Sequence, residues 1–110
     1  MKIVKRPWGD FKQFVFNDKC TVKILEVNKN SMLSLQKHKK RKEMWYFLTE
    51  GYAQIGKEKK KIAMDKMVVI GKNTPHRLYA KDRSVKVLEI SFGNFDEKDE
   101  IRLEDEYGRK

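Results

Sequence analysis

Cysteine is nearly missing from this chain: Cys20 stands alone among 110 residues. No internal disulfide can form, and a reducing compartment is the simpler setting. Histidine is scarce, present only at His38 and His76, and proline occurs only at Pro7 and Pro75. No apolar run approaches the ~18 residues of a membrane span. The start, Met1-Lys2-Ile3-Val4-Lys5-Arg6-Pro7-Trp8, has no apolar core of the kind a signal peptide carries. The expectation is a cytoplasmic protein with no membrane partner. Repeats and segments rich in Pro, Gly or Ser are also missing, so nothing divides the chain. Residues 1–110 are expected to form a single domain, with a core over about 6–95 and an acidic C-terminal segment over 96–110.

Positive charge is what the chain has in excess. It carries 26 Lys+Arg against 16 Asp+Glu, a formal net charge of +10. That balance favours anionic partners: phosphorylated small molecules, nucleic acid or a membrane surface. The runs Lys37-His38-Lys39-Lys40-Arg41-Lys42 and Lys57-Glu58-Lys59-Lys60-Lys61 could touch phosphates. They are not interleaved with aromatics, and no helix-turn-helix or zinc-finger spacing accompanies them. A basic run at a hairpin turn is ordinarily a solvated face, so no specific nucleic-acid partner is expected.

Short strands and turns fill most of the sequence. Strand patterns cover 11–16, 21–27, 32–37, 45–49, 52–56, 57–63, 67–70, 76–79 and 85–91, with turns at Asn17-Asp18-Lys19, Asn28-Lys29-Asn30 and Glu50-Gly51. Eight or nine strands at short, regular intervals predict an all-β antiparallel sandwich or barrel. The acidic stretch Asp96 to Tyr107 reads as the one helical or irregular segment.

The candidate chemistry lies in Gln36-x-His38-x-x-x-x-Glu43 and, far downstream, Pro75-His76-Arg77-Leu78. Gln36 and His38 share one side of a strand because side chains alternate. Two imidazoles, a carboxylate and an amide oxygen suit a divalent transition metal. Each residue also has a plainer reading, as a hydrogen-bonded or solvated side chain of a strand or turn.

Gln36-x-His38-x-x-Arg41-x-Glu43-x-Trp45, followed by Gly51 and Pro75-His76-Arg77-Leu78, resembles the two motifs of the cupins. More narrowly it resembles the isomerase domain of type II phosphomannose isomerases. That domain is found at the C-terminus of bifunctional mannose-1-phosphate guanylyltransferase/mannose-6-phosphate isomerases. Arg6-Pro7-Trp8-Gly9, Leu33-Ser34-Leu35-Gln36 and Ile101-Arg102-Leu103-Glu104-Asp105-Glu106-Tyr107-Gly108-Arg109 agree with the same family. The resemblance implies a single-domain, all-β cupin fold, the double-stranded β-helix or conical jelly-roll barrel. It implies one divalent metal ion in the barrel mouth, Zn²⁺ first and Mn²⁺, Fe²⁺, Co²⁺ or Ni²⁺ as alternatives, on Gln36, His38, Glu43 and His76. It also implies interconversion of mannose 6-phosphate and fructose 6-phosphate, a phosphorylated hexose substrate and a homodimer. A guanylyltransferase half is not expected within 110 residues.

The chain departs from the family pattern at Lys39, Lys40 and Met44, where histidines are usual. Aldose–ketose isomerisation needs a base, a stabiliser for the developing oxyanion and a clamp on the phosphate. Glu43 is taken as ligand first and base second, with Lys40 and Arg109 as further catalytic candidates. Arg41, Arg77 and Arg109 are the expected phosphate clamp, because guanidinium binds phosphate bidentately. Lys40 could join them, or oppose the metal if its strand runs on regularly. Trp45, Tyr46 and Phe47 are expected in the core. The alternative to an enzyme is a non-catalytic cupin that binds a sugar phosphate or nucleotide sugar.

Overall fold

The computed structural model describes residues 1–93 and 96–104. Eleven strands follow one another among them: β1 (Lys2–Arg6), β2 (Gly9–Gln13), β3 (Cys20–Val27), β4 (Leu35–His38), β5 (Glu43–Phe47), β6 (Gly51–Ile55), β7 (Glu58–Ile62), β8 (Met67–Ile70), β9 (His76–Tyr79), β10 (Val85–Phe92) and β11 (Glu100–Glu104). A single 3₁₀ turn, Glu97–Asp99, precedes the last strand. No helix among the described residues is long and apolar enough to cross a membrane.

All pairings are antiparallel. β1 and β2 form a hairpin, β3-β10-β5-β8 form a four-stranded sheet, and β11-β4-β9-β6-β7 form a five-stranded sheet. The core between the sheets centres on Val27, Trp45, Phe47, Ala53, Ile70, Leu78, Val85 and Val87. Phe47, Ala53, Leu78 and Val87 lose all of their exposure. Burying each such side chain contributes roughly 1.5–3 kcal/mol for the larger ones.

Alternation along two neighbouring strands divides this interior into a dry end and a polar end. Along one face of β10 the buried side chains run Val85, Val87, Glu89, Ser91; along one face of β5 they run Phe47, Trp45, Glu43. The register places Val87 opposite Phe47, Glu89 opposite Trp45 and Ser91 opposite Glu43. Polar side chains therefore gather at one end of the barrel, where the site lies. β5 is buried on its other face too: Phe14 packs edge-on to Tyr46, ring centroids 5.0 Å apart.

The expected turns form where asparagine tolerates the left-handed region, with φ of 54° at Asn17 and 59° at Asn30. Gly51 opens β6 at a point with no room for a side chain, because a Cβ there would collide with Val85.

Two strands depart from expectation. β1 was not anticipated, and β11 replaces the helical or irregular reading of Asp96 to Tyr107 as far as residue 104; residues 105–107 lie outside the described ones. β11 pairs with β4, Ile101 opposite Lys37 and Arg102 opposite Gln36, with an irregularity between Arg102 and Glu104. Pairing with an open strand edge outweighed the acidic composition of the segment.

Candidate metal centre

Three strands bring the motif residues together. β4 carries Gln36 and ends at His38, β5 begins at Glu43, and β9 begins at His76. Gln36 lies directly opposite His76 across the β4–β9 pair. The turn between β4 and β5 is tied down by Asp99, whose carboxylate accepts the Lys39 and Lys40 amides at 3.0 and 2.9 Å. Desolvation pushes the Asp99 carboxyl up, but donation by Lys40 and Lys39 outweighs it and holds the group below the usual carboxylate range.

His38, Glu43 and His76 are 3%, 1% and 2% exposed, so the cluster is dry. Glu43 Oε1 lies 3.2 Å from His38 Nε2 and 3.2 Å from His76 Nε2. Glu43 Oε2 accepts the Ser91 hydroxyl at 2.7 Å and lies 3.5 Å from Arg41 Nε. Burial alone would raise the Glu43 pKa, but His38, His76 and Ser91 together hold it far below the usual carboxylate range.

The proton positions show what this cluster requires. His76 Nδ1 lies 2.8 Å from the Thr74 carbonyl, which can only accept, so Nδ1 carries the hydrogen. In the neutral ring Nε2 then bears a lone pair facing an anionic oxygen. Arg41 Nη2 lies 3.3 Å from His38 Nε2, and a guanidinium only donates, so that nitrogen is an acceptor as well. Among the described residues, Glu43 Oε1 has no assigned hydrogen-bond donor despite its burial. Three ligand atoms thus converge within 4.8 Å of one another, an arrangement that needs a positive charge between them, either a proton on an imidazole or a bound cation. Donors bound to one Zn²⁺ at ~2.0–2.2 Å stand roughly 3.0–3.6 Å apart, which matches the two 3.2 Å separations. The His76–Thr74 contact is the kind of outer bond that orients a metal-binding imidazole. The cluster is able to hold a metal ion. Gln36 lines the same cavity, and its Nε2 donates to Ser34 Oγ at 3.1 Å, leaving the amide oxygen as a fourth donor.

The cavity has a volume of about 430 Å³. Beside the cluster it is lined by Trp45 and Glu89, and toward its rim by Lys23, Lys98, Glu100 and Arg102. Glu89 is 9% exposed, and its Oε2 accepts the Trp45 indole N–H at 3.0 Å. Burial and then the charge of Glu43 push its pKa up, against the Trp45 hydrogen bond.

A model of the mannose-6-phosphate isomerase C-terminal domain family matches residues 1–105. The chain belongs to this family. The isomerase-family domain is 31% identical over 110 residues to a xanthan biosynthesis protein of Xanthomonas campestris pv. campestris. It is 32% identical over 110 residues to an alginate biosynthesis protein of Pseudomonas aeruginosa. Each match covers 96% of this chain and 23% of the relative, so the domain spans about a quarter of those proteins. Among solved structures, a cupin-2 domain from Rhodospirillum rubrum superposes with a TM-score of 0.66 at 21% identity, covering 79% of this chain and 64% of that one. The all-β fold of the isomerase-family domain is therefore the cupin fold expected of it.

The expected site residues fare differently. Gln36, His38, Glu43 and His76 come together in the cavity. Arg41 lines it, but is buried and donates to the Asp96 carbonyl at 3.2 Å besides its contacts to Glu43 and His38. Arg77 binds the Leu33 carbonyl at 2.9 Å and reaches the Glu104 carboxylate at 3.4 Å and its carbonyl at 3.5 Å. Lys40 is exposed and is not among the side chains that line the cavity. β4 ends at His38, so the regular strand that would have aimed Lys40 inward does not exist. Arg109 lies outside the described residues. Sequence reasoning missed Glu89, Lys23 and Arg102, which adjoin the cavity through strand pairing, and Lys98, which reaches it from the 3₁₀ turn.

Proposed function

We propose that this domain is a metal-dependent aldose–ketose isomerase that interconverts mannose 6-phosphate and fructose 6-phosphate. The observation that carries the reading is a pair of buried carboxylates in one cavity: Glu43, between two imidazole nitrogens, and Glu89, held by Trp45. Gln36, His38, Glu43 and His76 would hold the metal, with Zn²⁺ the first candidate. The bound metal would polarise the sugar carbonyl and hydroxyl oxygens as a Lewis acid.

The two carboxylates have different surroundings and take different roles. Glu43 is kept anionic by the groups around it, which suits a ligand. Glu89 accepts a hydrogen bond from Trp45, and its pKa is raised above the usual carboxylate range, the direction that suits a group that takes and returns a proton. In the open-chain aldose, the Glu89 carboxylate removes the C2 proton. The C–H electrons form the C1–C2 double bond of an enediolate as the carbonyl electrons move to O1, and the O2 proton passes to O1, leaving the oxyanion on O2. Glu89 then delivers its proton to C1, and the O2–C2 double bond completes the ketose. Trp45 fixes the carboxylate, and the closed apolar end of the barrel excludes water from behind it.

The histidine positions at which the chain departs from its family bear on the alternative of a non-catalytic sugar-phosphate or nucleotide-sugar binder. Lys39 and Lys40 are exposed, and neither they nor Met44 line the cavity. These departures leave the candidate catalytic groups intact, which favours the enzyme. The test is a coupled assay for fructose 6-phosphate with Zn²⁺, Mn²⁺, Fe²⁺, Co²⁺ and Ni²⁺ in turn. Turnover that His76→Ala abolishes supports the isomerase. Binding of mannose 6-phosphate without turnover under any metal supports the binder.

A further inference from the structure

We propose that Arg102, with Lys23 and Lys98, forms the anion subsite that seats the substrate phosphate, in place of the clamp of Arg41, Arg77 and Arg109 that the sequence motifs suggest. All three side chains line the cavity that holds the His38–Glu43–His76 cluster. Arg102 is anchored through Nη2, which pairs with Glu100 Oε2 at 2.8 Å. Its Nε is buried and makes no hydrogen bond among the described residues. A buried, unpartnered N–H beside an anchored guanidinium is a donor awaiting an acceptor, and a phosphate oxygen is the acceptor that a guanidinium fork fits best.

The arginines expected from the motifs are committed elsewhere. Arg77 links β9 to Leu33 and to Glu104 of β11. Arg41 lies against Glu43, His38 and the Asp96 carbonyl, inside the cluster rather than at the rim.

Register supplies the distance. Arg102 lies opposite Gln36, and Gln36 lies opposite His76, so β11, β4 and β9 carry the three in one cross-strand row. Two strand spacings separate the backbones at His76 and Arg102 by about 10 Å. That is the scale of a hexose chain with its carbonyl end at the cluster and its phosphate at the rim. Lys23 approaches from the facing sheet, opposite Glu89, and Lys98 from the 3₁₀ turn, so the phosphate would be met from both sides of the mouth. Lys23, Lys98 and Arg102 stand against two carboxylates, Glu100 and the Glu89 opposite Lys23, and the remaining positive charge favours an anion.

The subsite rests on the isomerase reading only for the identity of the sugar. The test is calorimetric titration of the metal-loaded chain with inorganic phosphate, mannose 6-phosphate and mannose. Wild type is expected to bind mannose 6-phosphate at least tenfold more tightly than mannose, roughly the worth of one charged hydrogen bond. Arg102→Gln should remove that preference while metal stoichiometry stays at the wild-type value. Lys98→Glu, at an exposed position that does not threaten folding, should weaken inorganic phosphate several-fold, and Lys60→Ala on β7 should change nothing. Phosphate affinity within twofold of wild type in both Arg102→Gln and Lys98→Glu overturns the proposal, as does a wild type that does not distinguish mannose 6-phosphate from mannose. A wild type that binds mannose 6-phosphate through Arg102 but never forms fructose 6-phosphate supports the subsite and overturns the isomerase.

Discussion

The indole N–H of Trp45 donates a 3.0 Å hydrogen bond to Glu89 Oε2, joining two directly opposed residues of β5 and β10. Both belong to the buried faces of their strands, and the carboxylate adjoins the His38–Glu43–His76 cavity. If Glu89 carries the proton, Glu89→Gln should lower kcat by roughly 100-fold or more, the usual worth of a general base, with little change in KM. An equal fall in folding stability and metal content would instead mark Glu89 as structural. Steady-state kinetics beside a metal assay separates the two.

The same hydrogen bond sets a pH expectation. The Trp45 N–H stabilises the charged carboxylate, and so opposes the upward push of burial and Glu43. Trp45→Phe removes that opposition, so the Glu89 pKa rises further. The acidic limb of the kcat/KM profile, where the base is lost by protonation, should move to higher pH. A limb that stays in place or moves to lower pH contradicts the assignment.

The candidate metal ligands were legible in the sequence because their signal is local. Gln36 and His38 alternate on one strand, and Glu43 follows across a short turn. Glu89 and Arg102 reach the cavity through the register of β10 on β5 and of β11 on β4, which no short motif encodes. One sign was available for Glu89: the alternation Val85, Val87, Glu89, Ser91 puts a carboxylate where the apolar series should continue. β11 was hidden for another reason. Its pattern Glu100-Ile101-Arg102-Leu103-Glu104 alternates as a strand does, but the surrounding acidic residues gave it the look of a tail. The direction of Lys40 depended on where β4 stops, and strand ends are the least readable feature of a sequence.

Metal binding should appear as folding stability. A ligand that binds only the native state at 100 times its Kd adds about 2.7 kcal/mol. Thermal melts with excess Zn²⁺ should rise for wild type and stay flat for His76→Ala and Glu43→Gln. Equal rises in all three would place the ion elsewhere.

Asp99 should stabilise the turn that follows β4. Asp99→Ala strips acceptors from the Lys39 and Lys40 amides and should cost about 1–2 kcal/mol by urea unfolding. Because the Asp99 pKa is lowered on folding, its contribution is present above the ordinary aspartate value of 3.8 and fades as pH falls further. The stability difference between wild type and Asp99→Ala should therefore shrink below about pH 4. A constant difference down to the acid transition would contradict the linkage.

Gly51→Ala places a methyl group against Val85 and should destabilise by roughly 1–3 kcal/mol. Adding Val85→Ala opens the space the methyl needs, so the double variant should be more stable than the sum of the single losses. Strict additivity in denaturant melts would show that the two sites do not touch.

We propose that Glu89 moves one proton between the C2 and C1 carbons of a hexose phosphate beside the His38–Glu43–His76 cluster. Running the metal-loaded domain with mannose 6-phosphate in D₂O and reading the product by NMR tests it directly. The expected result is fructose 6-phosphate carrying deuterium at C1 in wild type and no labelled product with Glu89→Gln. Labelled product at the wild-type rate from Glu89→Gln, or none from wild type with any divalent metal, would contradict the account.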